Sequence, residues 1–275
     1  MSKQVSQPPG SSRELAQIKR KNTIPVKVGS LTIGGGSPVV VQEMTTSFTS
    51  DIEHTVEQIH QLEWMGCRLV RVSVPDEKSA RAIKQINSRT EAAIVADIHF
   101  DYRLAVMAAE NGADKLRLNP GNIGSEKKVS MVVDCARHRG IPIRVGVNSG
   151  SLRRDVIEKY GGAGSDAMVE SALREVTVLE KNHFYDIVVS VKSPDIVLTV
   201  ESNRKLSDKL SYPLHLGITE AGYGDAGMMR SAAGLGVLLL DGIGDTIRTS
   251  ITSVDRSHNI KLCQDLLKNL GIPYC

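Results

Sequence analysis

One pattern constrains this chain more than any other. An apolar, β-rich run followed by a helical pattern recurs eight times between residues 38 and 269. The runs fall at 38–46, 68–75, 92–99, 113–120, 141–148, 186–193, 214–221 and 245–252. Helical patterns follow them at about 52–65, 77–87, 102–111, 125–138, 166–182, 195–209, 226–240 and 257–269, several opening on Asp or Ser as an N-cap. Strand-helix-strand connections between parallel strands are right-handed. Eight strand-helix units in 275 residues fit a closed (β/α)8 TIM barrel better than an open doubly wound sheet. No GxGxxG follows the first strand, which removes the usual mark of a dinucleotide-binding sheet. Ahead of the barrel, residues 25–37 (PVKVGSLTIGGGS) read as an N-terminal β-ribbon suited to plugging the barrel floor, and residues 1–22 as a flexible N-terminal arm. Residues 23–275 then make a single domain.

Composition narrows the class. Hydrophobic residues make up 41% of the chain and charged residues 24%, the balance of a globular protein that buries a full core. A formal net charge of +3 argues against a broad nucleic-acid surface. No run approaches the apolar length of a membrane span, and the N-terminus has no apolar signal segment, so the chain reads as cytoplasmic with no membrane partner. The cysteines, Cys67, Cys135, Cys263 and Cys275, form no C-x-x-C pair; the first three fall on helical patterns and read as small buried thiols, and no metal site is expected from them.

The strand ends carry the chemistry. Active sites of such barrels lie where the C-terminal ends of the strands converge, and residues i and i+2 of a strand share a face. That spacing pairs Arg71 with Ser73, Asp97 with His99, Arg117 with Asn119, Arg144 with Asn148 by way of Gly146, and Arg248 with Ser250, while Lys192 and Glu220 end the sixth and seventh strands. A buried cation without a partner is costly, so five cations repeated at one end of a barrel mark a binding site. Arg71, Arg117, Arg144, Lys192 and Arg248 outnumber Asp97 and Glu220 by three, a surplus suited to a diphosphate. Asn148 and Ser250 can add neutral hydrogen bonds. Asp97 and Glu220, on opposite sides of the ring, can act as acid and base or as counter-ions of an empty site. His99 and His215 read as weaker candidates, His215 as a hydrogen-bonded core residue. Residues 149–165, with Arg153, Arg154 and several glycines, form a long connection readable as a lid or as a solvated loop.

The segments VADIHFDYR (95–103), LRLNPGNIG (116–124), IPIRVGVNSGSL (141–152), SVKSPD (190–195), PLHLGITEAG (213–222) and GIGDTIRTS (242–250) closely resemble those of 4-hydroxy-3-methylbut-2-enyl diphosphate synthases, in collinear order from about residue 20 to 270. That family belongs to the methylerythritol phosphate route to isoprenoids and reductively opens and dehydrates 2-C-methyl-D-erythritol 2,4-cyclodiphosphate. The resemblance implies that Arg71, Arg117, Arg144, Lys192 and Arg248, with Asn148 and Ser250, hold the cyclic diphosphate, and that Asp97 and Glu220 are its acidic positions, Glu220 handling a proton near the reacting carbon. It implies a homodimer, a 4Fe–4S cluster held by three cysteines and a glutamate in a C-terminal domain, and flavodoxin or ferredoxin as electron donor. The Cys-Pro-x-Cys motif that opens that domain is not present in these 275 residues. The chain alone is therefore expected to bind the cyclodiphosphate without turning it over. Truncation, or a cluster domain supplied by a separate chain, would also account for its absence. A non-catalytic diphosphate-binding or dimerisation module, and a transferase resembling dihydropteroate synthase, are the alternatives.

Overall fold

The computed structural model describes residues 18–252 and 256–275. Strands β1 (Val26–Val28) and β2 (Leu31–Ile33) pair antiparallel, Val26 opposite Ile33. Eight parallel strands follow: β3 (Val40–Met44), β4 (Leu69–Ser73), β5 (Ala93–Asp97), β6 (Lys115–Leu118), β7 (Ile143–Asn148), β8 (Ile187–Lys192), β9 (His215–Leu216) and β11 (Thr246–Ile247). Their hydrogen-bonded order is β8-β7-β6-β5-β4-β3-β11-β9, and a bridge between Val189 and Leu214 joins β8 to β9. The ring therefore closes as a (β/α)8 barrel.

Seven helices fill the crossovers, α1 (Ile52–Trp64), α2 (Glu77–Asn87), α3 (Tyr102–Glu110), α5 (Glu126–Arg139), α7 (Ser165–Lys181), α8 (Ile196–Lys209) and α9 (Gly224–Leu240), and α10 (Ser257–Asn269) follows the last strand. Side-chain carboxyls of Asp51, Asp76, Asp101 and Asp195 accept from backbone N–H groups in the first turns of α1, α2, α3 and α8. Each such cap satisfies a donor the helix cannot pair itself, a contribution of about 1 kcal/mol. Outward-facing strand residues, among them Val70, Val72, Leu116, Leu118, Val145 and Val189, pack on the apolar stripes of these helices in one continuous core.

The ribbon plugs the barrel floor. Val28, Leu31 and Ile33 form an apolar cluster with Val40, Leu69, Ala93 and Val95 of the barrel strands. Residues 1–17 of the expected arm lie outside the described residues, and its remainder, 18–22, is bonded to the barrel. Arg20 reaches Ser37 O, Gly244 O and the carboxylate of Asp245, and Lys21 pairs with Asp208.

Four sequence expectations change. The seventh strand, expected over 214–221, ends at Leu216, and the eighth, expected over 245–252, ends at Ile247. Beyond them the chains pair again only as a two-residue parallel ladder of β10 (Gly222–Tyr223) and β12 (Ile251–Thr252). Turn geometry at Thr219 and Glu220 separates the two pieces; Glu220 has φ 50°, which no strand accepts. The connection 149–165 is no loose loop. It holds a 3-10 turn, the helix α6 (Arg154–Tyr160) and a short glycine segment, and Asp155 and Glu170 tie α6 to α7 through Arg174 and Lys159. A further short helix, α4 (Pro120–Ile123), was not foreseen. Cys67 lies just beyond α1 rather than on it, buried, its thiol facing Val41 O and Leu69 O.

Asp245 fastens the N-terminal segment to the barrel. Its buried carboxylate accepts from Arg20 Nη2, Thr23 Oγ1 and Leu214 N, each at 3.0 Å. Asp245→Ala leaves the buried Leu214 N–H without its acceptor and removes the only carboxylate that Arg20 pairs with among the described residues, so urea unfolding should show a loss of about 2–3 kcal/mol. A loss near zero would mean that residues 18–24 contribute nothing to the barrel's stability.

Candidate active site

The barrel interior changes character with height. At the bottom, Val40, Leu69, Ala93 and Val95 face the ribbon. One layer higher the same alternation presents Gln42, Arg71, Asp97, Arg117 and Arg144, and higher still Asn148 and Lys192, which stand opposite each other across β7 and β8. Apolar residues give way to ionic ones within one strand pleat.

Asp97 is the hub of the mouth. Arg117 Nη1 donates to its Oδ1 at 3.2 Å, and Arg71 Nε and His99 Nε2 each lie 3.7 Å from Oδ2. Burial alone would raise this carboxyl, but His99 and the fields of Arg71, Arg117 and Arg144 outweigh it and hold Asp97 well below the usual carboxylate range. Arg117 Nη2 also donates to Gly146 O, and Asn119 Oδ1 accepts from Gly146 N at 2.9 Å. A Cβ on Gly146 would stand 2.9 Å from Arg117 Nε, so the glycine makes room for that guanidinium. Gly217 does the same for Lys192, whose Nζ would lie 2.6 Å from an added Cβ, and the carbonyl of Arg248 would lie nearer still at 2.5 Å.

On the opposite wall Arg248 donates from Nε to Glu43 Oε1 at 3.0 Å and from Nη1 to Ser250 Oγ at 3.0 Å. Glu43 was missed from the sequence because strand alternation places it out of phase with Gln42 and Met44. Lys115 was also missed, although it lies two residues before Arg117 and therefore on the same inward face; it is fully buried. Counting both, Arg71, Lys115, Arg117, Arg144, Lys192 and Arg248 stand against Asp97 and Glu43, six cations to two carboxylates.

Several of those cations lack full pairing. Arg71 directs Nε and Nη2 to the thioether of Met44 at 3.1 and 2.9 Å, a weak acceptor. Arg144 Nε and Nη1, Arg117 Nε and Lys115 Nζ have no partner at all. Burial, then Arg144, Arg248 and other neighbouring cations, push the Lys192 ammonium well below its ordinary range; Lys115 is lowered in the same way by burial, Arg144 and Arg71. Burial also brings Arg71 down to about 10 against the pull of Asp97. A guanidinium does not give up its proton. The guanidinium groups of Arg71, Arg117 and Arg144 therefore stay charged side by side in the barrel interior.

The remaining site residues divide. Asn148 and Ser250 are half-buried at the mouth, as expected. Glu220 does not point from a strand end into the barrel: it sits exposed in the turn after β9, and its carboxylate has no hydrogen bond or ion pair among the described residues. A glutamate held at positive φ costs about 1 kcal/mol or more and such strain gathers at functional positions. His215 is buried and bonded through Nδ1 to Thr246 Oγ1 at 3.3 Å, the core role expected of it. Among the described residues no helix is long and apolar enough to cross a membrane.

Fold and site together define a (β/α)8 barrel whose mouth gathers cationic side chains. A family model described as the GcpE TIM-barrel domain matches residues 23–264, and the chain belongs to that family, that of the 4-hydroxy-3-methylbut-2-enyl diphosphate synthases. A relative named 4-hydroxy-3-methylbut-2-en-1-yl diphosphate synthase (flavodoxin), from Caldanaerobacter subterraneus subsp. tengcongensis, is 53% identical over 253 residues, covering 92% of this chain and 71% of the relative. One of the same name from Clostridium tetani is 52% identical over 255 residues, 93% of this chain and 73% of the relative. The chain thus spans the barrel domain of that enzyme. Among solved structures, a truncated 3-deoxy-D-arabino-heptulosonate 7-phosphate synthase from Thermotoga maritima superposes with a TM-score of 0.66 at 12% identity, covering 92% of this chain and 95% of that one. The Yersinia pestis dihydropteroate synthase gives 0.60 at 12% identity, with 91% and 98% covered. Both share the fold.

Asp97→Asn removes the carboxylate that three cationic or titratable neighbours face. In phosphate-free buffer at pH 7 it should destabilise the chain by about 3 kcal/mol. A carboxyl depressed in the folded state stabilises above its unfolded pKa, and that contribution fades as pH falls through the folded value. The gap between wild type and variant should therefore be full above about pH 5 and narrow progressively as pH falls below about 4 toward the much lower folded value, down to about pH 2. Parallel stability curves across that range would refute the assignment of Asp97 as the ionised hub.

Proposed function

We propose that this barrel is the substrate-binding half of a 4-hydroxy-3-methylbut-2-enyl diphosphate synthase, and that its ligand is 2-C-methyl-D-erythritol 2,4-cyclodiphosphate. The observation that carries the reading is the set of under-paired, buried strand-end cations in a chain of this family. Arg71, Arg117, Arg144, Lys192 and Arg248 would take the phosphate oxygens, with Ser250 and Asn148 donating neutral hydrogen bonds. Bidentate guanidinium contacts fix a diphosphate in orientation as well as in place. Asp97 keeps Arg71 and Arg117 aimed at the mouth and is an ionised acceptor there. Glu220, at the rim and unpaired, is the group free to hold or deliver a proton to the organic part of the ligand. Fixing both ends of the ligand would bring the reacting carbon to Glu220, which is how positioning energy enters the rate.

Ring opening with loss of a hydroxyl is a reduction, and Arg, Lys, Asp and Glu carry no electrons. The relatives' name points to flavodoxin as the donor to the whole enzyme. The family's 4Fe–4S cluster does not fit the thiols present here. Burial pushes Cys67 and Cys263 up to about 12, far from the thiolate form that ligates iron, and no group of three ligand-type residues gathers among the described residues. The 275-residue polypeptide alone is thus proposed to bind and orient without reducing.

Calorimetric titration with the cyclodiphosphate should give saturable binding that Arg117→Ala, Arg144→Ala abolishes, a loss of at least a hundredfold in affinity. The same sample with dithionite should release no product. Absence of binding in wild type would overturn the ligand, and sustained turnover would overturn the division of labour.

A further inference from the structure

The first and last strand-helix units enclose a cavity of about 360 Å³ between the segment after β3 and the start of α10. Met44, Thr45, Leu62, Met65, Arg256 and Ser257 are among the residues that line it. Spaces of about 300–1,000 Å³ take small organic molecules. None of Arg71, Arg117, Arg144, Lys192 and Arg248 lines this one, and neither does any described Asp or Glu. The cavity and the mouth share one wall, Met44, whose thioether receives Arg71.

Two polar atoms of the lining have no partner. Thr45 is only 6% exposed, and its Oγ1 makes no hydrogen bond. Arg256 gives Nη1 to Ile251 O at 3.5 Å, but its buried Nε donates to nothing. Buried polar groups are costly to leave unpaired. The neighbouring amide is already spent: Gln58 Oε1 accepts from Thr46 N and Ser47 N, and Nε2 donates to Thr46 Oγ1. That bracket fixes the segment that carries Thr45.

Electrostatics select the ligand. The Arg256 guanidinium is always charged, and α10, a helix of 13 residues, directs the positive end of its dipole at the same place. With no described carboxylate in the lining, a metal cation has nothing to bind. Water accepts from a guanidinium but brings no charge to balance it. An anionic oxygen accepts from both Arg256 Nε and Thr45 Oγ1, and phosphates settle at helix N-termini for the same reason. Leu62 and Met65 leave an apolar wall that a bare ion would not cover.

We propose that this cavity binds a phosphate monoester carrying a short apolar chain. Its phosphate rests on Arg256 Nε, Thr45 Oγ1 and the N-terminus of α10, and its chain lies against Leu62 and Met65. The site is separate from the cyclodiphosphate site and does not depend on that reading.

The probe is 3-methylbutyl phosphate, titrated calorimetrically into the 275-residue chain. Binding should be saturable, and inorganic phosphate should bind at least about tenfold more weakly. Arg256→Gln should lose about tenfold or more in affinity. Thr45→Val removes a hydroxyl that has no partner, so the chain should fold as well as wild type while affinity falls about fivefold. The Arg117→Ala, Arg144→Ala variant, with its mouth disabled, should bind the probe as wild type does. No binding, or unchanged affinity in Arg256→Gln and Thr45→Val, overturns the site. Loss of binding in the Arg117→Ala, Arg144→Ala variant would put the phosphate in the mouth and overturn it too. Equal affinity for inorganic phosphate would overturn the assignment of the apolar chain. A wild type that binds the probe but not the cyclodiphosphate would strike only at the ligand proposed for the mouth.

Discussion

The rest of this structure depends on electrostatic repulsion among cations packed inside a closed barrel. Interiors of such barrels are usually layers of branched apolar side chains, and here only the bottom layer is. Above Val40, Leu69, Ala93 and Val95 the interior turns ionic at once. A buried cation without a partner costs several kcal/mol, so the fold must repay that elsewhere. It does so on the outer face, where Val70, Val72, Leu116, Leu118 and Val145 bury against the helices, each contributing about 1.5–3 kcal/mol. The β1-β2 ribbon closes the floor in the same way. Stability is assigned to the outside and bottom of the barrel, the proposed ligand site to the inside and top.

Much of this was legible in the sequence. Strands with alternating charge at their ends named Arg71, Asp97, Arg117, Arg144, Lys192 and Arg248 before any coordinates, because one side of a barrel strand must face inward. The ribbon was legible from its glycine turns and its two short apolar runs. Two residues escaped for opposite reasons. Lys115 obeys the alternation but sits one layer deeper, where a cation is least expected. Glu43 breaks the alternation and is found only because Arg248 reaches it.

Glu220 shows where strand arithmetic stops. Counting by twos carried the seventh strand through to residue 221, whereas hydrogen bonding ends at Leu216 and the backbone enters a left-handed turn. Periodicity reports which face a residue takes only while the strand lasts, and a two-residue strand leaves little to count. At the break Gly217 lies so close to the Arg248 carbonyl that an added Cβ would sit 2.5 Å from it, and the two segments pair again only at β10 and β12. Glu220 lies in the turn between them, exposed. A rim carboxylate free of partners can move with a ligand, unlike the clamped Asp97.

The most direct test is the unfolding midpoint of the 275-residue chain in acetate, phosphate and pyrophosphate at one ionic strength and pH. If interior cation repulsion is what a ligand relieves, the midpoint should rise in that order. Pyrophosphate at a hundred times its dissociation constant should add about 2.7 kcal/mol. Equal midpoints in all three anions would mean that the buried cations are already balanced within the protein, and the account would fail at its base.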